Sequence, residues 1–116
     1  MILVNALEVD NLLSLYDDDA VLLPTFSDDF LTNKEGIRGY FEKLRGEGGI
    51  MVSLNEESLL EQTLSDGLYS ISGIYRWRFG KSEEGVLLDA RFTFILDLGR
   101  SSPILHHHAS RLPRKL

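Results

Sequence analysis

The spacing of apolar residues predicts an amphipathic helix at the start of the chain. Within residues 2–16 the apolar positions follow the i, i+3, i+4, i+7 spacing of one helix face. They are Val9, Leu12, Leu13 and Tyr16. The acidic run at 17–19 opposes the macrodipole of a helix C-terminus, so we expect an exposed loop there. Residues 20–23 then predict a short strand, which Pro24 ends.

A capping box marks the start of a second helix. Thr32 is followed three residues later by Glu35, which predicts Thr32 as the N-cap. The helix that follows has one apolar face, formed by Ile37, Tyr40, Phe41 and Leu44. Glycines at 46, 48 and 49 are typical of a helix end, so we expect the helix to stop there.

From residue 50 onward the apolar pattern alternates with a period of two, which predicts strands. The predicted strands are 50–54, 57–65, 68–79, 86–98 and 104–111. Short turn sequences between them, such as 65–67 and 80–85, indicate an antiparallel meander. Helices first and strands afterwards favour an α+β fold, with N-terminal helices packed on a strongly curled antiparallel sheet.

The two long central strands have one apolar and one half-polar face. Alternation places Tyr75 and Trp77 on the apolar face, which we expect to meet the helices. The other face carries five charged residues: Arg76, Arg78, Asp89, Arg91 and Asp97. This face is compatible with contact with water or with a dimer interface built on Arg–Asp pairs, and the interface is the favoured interpretation.

The length, composition and net charge of the chain argue against several classes of protein. The 116 residues fit one domain over 1–116, and the absence of cysteine excludes disulfides and thiolate metal sites. A net charge of −6 argues against a nucleic-acid partner. No apolar run is long enough to cross a membrane, and no secretory leader is recognisable, so we expect a cytoplasmic protein.

All three histidines are consecutive, at 106–108, in the last predicted strand. Alternation puts His106 and His108 on one face and His107 on the other. Three interpretations are open for the His106/His108 pair: packed structural histidines, a ligand-binding site or part of a metal site. A metal needs further ligands that the sequence does not identify, so no metal and no cofactor are predicted.

Several stretches resemble the NTF2-like superfamily, in particular the SnoaL-like group that includes the association domain of calcium/calmodulin-dependent kinase II. The stretches are 15–16, 19–26, 36–41, 90–95 and 106–110 with Pro113. Together they span roughly 6–113, nearly the whole chain. The resemblance implies a cone-shaped domain with a cavity at its wide end, and self-association through sheet faces, in some cases into rings.

The sequence departs from the pattern of this superfamily in two places, and the resemblance also implies a set of site residues. The usual long first helix is shortened in this sequence. Leu96 stands where the kinase association domain carries an arginine, so the resemblance does not extend to a carboxylate-binding pocket built on that arginine. The candidate ligand-binding residues are His106, His108, Tyr16, Tyr40, Arg91 and Trp77.

Three functions follow from the sequence. The leading hypothesis is a self-associating protein that binds a small organic, in particular an anionic, molecule in the cone. The alternatives are a cofactor-independent isomerase, dehydratase or cyclase, and a pure oligomerisation module. The catalytic residues of such an enzyme are not identifiable in the sequence.

Overall fold

Two helices pack against one face of a five-stranded sheet in the computed structural model, which describes residues 8–47, 50–80 and 86–113. The elements in chain order are α1 (Val9–Leu13), β1 (Tyr16–Leu23), α2 (Lys34–Glu47), β2 (Met51–Ser65), β3 (Leu68–Phe79), β4 (Val86–Asp97) and β5 (Ile104–Arg111). The α+β class is therefore confirmed, with an open, curled sheet.

The sheet is mixed rather than wholly antiparallel. Its strand order is β1-β5-β4-β3-β2, and the last four strands of the chain form the predicted antiparallel meander. The first strand differs, because β1 pairs parallel with β5. A parallel neighbour requires a long connection, and here nearly the whole fold lies between the two strands.

The N-terminal helix ends earlier than its apolar spacing predicts. Helix α1 stops at Leu13, and Tyr16 is the first residue of β1. The acidic residues at 17–19 were predicted as a loop, but they lie within β1. Asp18 and Asp19 are exposed, as predicted. The helix therefore ends before the carboxylates, consistent with their unfavourable position at a helix C-terminus.

The second helix is capped by Asn33 and not by Thr32. The Asn33 side-chain oxygen accepts a 2.8 Å hydrogen bond from the backbone N–H of Gly36, at the third position of the helix. Helix α2 then begins at Lys34. Asparagine is a stronger N-cap than threonine, so residue preference agrees with a helix that begins one residue later than the capping box predicts.

Strand β2 is continuous where two strands, 50–54 and 57–65, were predicted. A register shift between Asn55 and Leu60 accommodates residues 56–59 without ending the strand. The Ser58 hydroxyl lies in this irregular stretch and accepts a 2.8 Å hydrogen bond from the Ile74 backbone N–H. Gly73 lies beside it, and a Cβ there would approach Ser58 and Phe92 to about 3.1 and 3.0 Å.

The core lies between the helices and the inner face of the sheet. Helix α2 contributes Ile37, Phe41 and Leu44, as its apolar spacing predicts. The predicted apolar face of β3 also turns inward, with Tyr75 and Trp77 only 2% and 4% exposed.

Some predictions lie outside the described residues. They concern the helix over 2–7, the glycines at 48 and 49, and the turn over 81–85. Within the described ranges, no helix is long and apolar enough to span a membrane.

Candidate functional site

A cavity of about 130 Å³ lies inside the fold, between the helices and the inner face of the sheet. Its walls come from α1, α2, β1, β3, β4 and β5 and from the segment after β1. The polar residues that line it are Tyr16, Thr25, Tyr40, Tyr75, Trp77 and His107. The apolar lining includes Leu12, Leu22, Phe41, Phe94, Ile104 and Ala109.

His107 is the centre of a hydrogen-bond network in this cavity. Its Nδ1 lies 2.9 Å from the Tyr16 hydroxyl, and its Nε2 lies 3.4 Å from the Tyr75 hydroxyl. The ring stacks on Phe94 with centroids 3.9 Å apart. A neutral imidazole donates from one nitrogen and accepts at the other, so the chain Tyr16–His107–Tyr75 has a single direction at any moment.

Burial keeps every group of this network uncharged. Burial, together with the smaller effects of the neighbouring His106 and His108, lowers the pKa of His107 to about 3. Burial also raises the pKa of the Tyr16 and Tyr75 hydroxyls well above their ordinary value, and that of Tyr40 to about 12. At neutral pH the cavity therefore offers hydrogen-bonding groups without a formal charge.

Two further polar groups at this cavity have no partner of normal hydrogen-bond geometry among the described residues. They are the indole N–H of Trp77 and the hydroxyl of Tyr40. The backbone of Phe26 lies beside the Tyr40 hydroxyl and partly offsets the rise of its pKa. The Thr25 hydroxyl also lacks a well-formed bond, although it lies beside Tyr75 and lowers the pKa of Tyr75.

Three of the six predicted site residues line the cavity. Tyr16 reaches it from β1, Tyr40 from α2 and Trp77 from β3. The structure places the other three elsewhere: His106, His108 and Arg91 point to the outer face of the sheet. His106 and His108 do share a face, but it is opposite to the cavity.

Sequence reasoning missed His107 and Tyr75. Tyr75 lies on the face predicted to meet the helices, but it is not among the candidate ligand-binding residues. For His107, the available signal was its register partner Phe94, which belongs to the apolar face of β4. A side chain paired with an inward residue in a sheet points inward as well, so His107 was the histidine to select.

A second, larger depression of about 890 Å³ lies between α2 and the end of β3. Phe26, Leu31, Leu44 and Phe79 form its apolar part, and Asp29, Glu42, Lys43 and Glu47 surround them. Tyr40 lines both this depression and the inner cavity. Because its charged groups are exposed to water, we take the inner cavity as the candidate site.

The outer face of the sheet presents rows of side chains across three strands. Met51, Arg78 and Leu87 form one row, and Ser53, Arg76 and Asp89 form the next. Arg76 and Asp89 make a two-point contact, with N–O distances of 2.8 and 3.2 Å. Arg76 and Asp89 therefore pair within one chain, whereas the sequence predicted Arg–Asp pairs across a dimer interface.

The described lining of the inner cavity offers few groups for acid–base catalysis or for metal binding. Among the described residues, no carboxylate lines the inner cavity, so an aspartate paired with His107 is not placed there. The same residues contain no group of three histidine or acidic side chains placed to hold a metal ion. The groups that do converge on the cavity are hydroxyls, one imidazole and one indole N–H.

Comparison with known proteins identifies the class of fold. A putative calcium/calmodulin-dependent protein kinase II association domain from Xanthomonas campestris is similar, with a TM-score of 0.84, 26% identity, and coverage of 98% of this chain and 81% of that one. An NTF2-like protein of unknown function from Pseudomonas putida KT2440 has a TM-score of 0.81 and 18% identity, covering 99% and 80%. No protein-family model and no curated protein matches the sequence.

A third similar structure, an uncharacterised protein with a cystatin-like fold from Caulobacter vibrioides, has a TM-score of 0.79 and 9% identity, covering 97% and 81%. The chain thus has an NTF2-like α+β fold, and the resemblance seen in the sequence is confirmed. Within that class its structure is similar to the association-domain-like branch. Leu96, where the resemblance implied an arginine, packs against the apolar core.

Proposed function

We propose that the chain is a small-molecule-binding NTF2-like protein whose site is the inner cavity around His107. The observation that carries this proposal is the convergence of buried polar groups on a cavity with an otherwise apolar lining. Ligand sites commonly combine apolar walls with a few polar groups that orient the ligand.

The charge of the lining favours an uncharged ligand over the anionic one expected earlier. No arginine, lysine or carboxylate of the described residues lines the cavity, and burial keeps His107 neutral. Burying an ion without a partner costs far more than burying a neutral polar group that is hydrogen-bonded. We therefore expect the ligand to be neutral and to bind through hydrogen bonds and apolar contact.

A thermal-shift screen of small neutral compounds tests this function. A ligand at 100 times its Kd adds about 2.7 kcal/mol, which raises the Tm of a domain of this size by roughly 10 °C. His107→Phe keeps an aromatic ring beside Phe94 but removes both hydrogen bonds to tyrosine. We expect this variant to reduce the ligand-induced shift, because the Tyr16 and Tyr75 hydroxyls in the cavity wall lose the partner that orients them.

The matched control is the double variant His106→Gln with His108→Gln on the outer face. It should retain the full ligand-induced shift, because neither side chain lines the cavity. The opposite result, in which the outer-face variant loses the shift and His107→Phe keeps it, would move the site to the outer face.

We also propose self-association through the outer face of the sheet. Three large apolar residues on this face are more than half exposed: Leu60 at 68%, Leu87 at 55% and Met51 at 52%. Exposed apolar residues on one face mark candidate protein interfaces, and arginine is enriched in such interfaces. The similar structure from X. campestris is described as an association domain, which supports the same proposal.

Sedimentation velocity at micromolar concentration tests the self-association. We expect the unmodified protein to sediment with at least twice the mass of one chain, and Leu60→Lys combined with Leu87→Lys to sediment as a monomer. Leu98→Lys changes an equally exposed leucine in the β4–β5 turn and should leave the mass unchanged. An unmodified protein that sediments as a monomer contradicts the proposed interface.

The single domain over 1–116 and the cytoplasmic location stay predictions.

A further inference from the structure

The polar groups of the cavity that lack partners indicate the chemical class of the ligand. Among the polar groups that line the cavity, the Trp77 indole can only donate a hydrogen bond, and its N–H is buried without a partner among the described residues. The Trp77 side chain is only 4% exposed, so water outside the fold does not reach it freely. A buried donor left unpaired costs free energy, which a ligand acceptor would recover.

The Tyr40 hydroxyl is the second group available in this cavity. It lines the same cavity as Trp77 and has no partner of normal geometry in the described chain. The Phe26 backbone beside it lowers the Tyr40 pKa, as a donor to the phenolic oxygen would. The hydroxyl hydrogen is then left to donate elsewhere.

The remaining polar groups already have neighbours inside the chain. Tyr16 and His107 are paired with each other, and Tyr75 lies between His107 and Thr25. The cavity groups without a well-formed bond are therefore Thr25, which lies beside Tyr75, and two donors that line the same cavity, Trp77 from β3 and Tyr40 from α2. A carbonyl oxygen has two lone pairs and can accept from both.

We propose that the ligand is an uncharged carbonyl compound about the size of one six-membered ring, whose oxygen accepts hydrogen bonds from Trp77 and Tyr40. This inference rests on the proposed function of the inner cavity and specifies its ligand. The volume is suitable, because 130 Å³ is close to the cavity of about 150 Å³ that holds benzene in another protein. A carboxylate does not suit the site, since the described lining carries no cation.

The test compares cyclohexanone with methylenecyclohexane, which has nearly the same shape but no acceptor atom. The chain contains one tryptophan, so its indole N–H gives a single, unambiguous signal in a ¹H–¹⁵N NMR spectrum. The methyl group of Ala109, in the cavity wall, reports occupancy independently of hydrogen bonding. We expect both compounds to shift the Ala109 signal, and cyclohexanone alone to move the Trp77 indole signal downfield.

Tyr40→Phe supplies the second measurement. Loss of one net hydrogen bond should weaken cyclohexanone binding by roughly 2- to 10-fold, while methylenecyclohexane binding stays unchanged. If both compounds lose affinity equally, or neither does, Tyr40 is not a partner of the carbonyl. This comparison uses one folded variant with two ligands, so a general loss of stability cannot imitate the expected result.

The outcomes distinguish a failure of the carbonyl assignment from a failure of the proposed small-molecule binding in the inner cavity. If both compounds shift Ala109 with equal affinity and the indole signal does not move, the cavity binds small molecules but the carbonyl assignment is wrong. If benzoate binds more tightly than cyclohexanone, the uncharged class is wrong. If no compound shifts Ala109, the cavity does not admit small molecules of this size and both proposals fail.

Discussion

Lowering the pH from 7 to 5 should destabilise the folded protein by about 2 kcal/mol through His107 alone. Burial lowers the pKa of His107 to about 3, from 6.5 in the unfolded chain. Below pH 6.5 the His107 imidazole therefore binds a proton in the unfolded chain but stays neutral in the folded protein. The contribution to stability is complete above pH 6.5 and falls by about 1.4 kcal/mol for each pH unit until the folded-state pKa is reached.

Urea unfolding at pH 7, 6 and 5 measures this effect in the unmodified protein and in His107→Phe. The variant should lose most of the slope between pH 6.5 and 5, while His108→Gln, a change of an exposed histidine, should keep it. Asp17 and Asp89 have lowered pKa values, so their stabilisation is lost only as the pH falls below their ordinary value of 3.8, outside this window. An unchanged slope in His107→Phe would mean that the imidazole is not buried in its neutral form.

Truncating Tyr16 should cause the largest loss of stability of any single change at the site. Tyr16 is 1% exposed, packs against Phe41 at a centroid distance of 5.9 Å, and contacts His107. Replacing a buried aromatic residue with alanine removes apolar contact and leaves a hole, at a cost of about 3–5 kcal/mol. The free energy of unfolding from urea titration at pH 7 should fall by this amount in Tyr16→Ala.

Tyr16→Phe separates the hydrogen bond from the packing. It keeps the ring but leaves Nδ1 of His107 without its partner, which costs about 1–3 kcal/mol for a buried group. We expect this variant to lie between the unmodified protein and Tyr16→Ala. Equal stability of Tyr16→Phe and the unmodified protein would show that the Tyr16–His107 contact contributes no net free energy.

The apolar spacing predicted burial better than it predicted secondary structure. Tyr16 was assigned to the end of a helix because it follows Val9, Leu12 and Leu13 at helical intervals. The residue is buried as expected, but it begins β1. The spacing reports which side chains avoid water, and a strand paired with β5 buries Tyr16 equally well.

The candidate site was only partly predictable, for a reason that lies in one residue of β5. Leu96 of β4 pairs with Ile104, and its neighbour Ile95 pairs with His106, so Leu105 is an extra residue without a partner. This bulge reverses the alternation, and both Ile104 and His107 point inward. Strict alternation from Ile104 instead selects His106 and His108 as the inward pair.

The sequence by itself determined the α+β class, the antiparallel meander that follows the second helix, the inward face of β3 and the resemblance to NTF2-like proteins. These depend on apolar periodicity and turn residues, which act over a few neighbouring positions. Only the tertiary structure decided the parallel pairing of β1, the cap at Asn33 and the selection of His107 as the buried histidine. The parallel pairing depends on how distant segments pack, and the inward position of His107 depends on a single extra residue in β5. Local apolar periodicity contains no information about either.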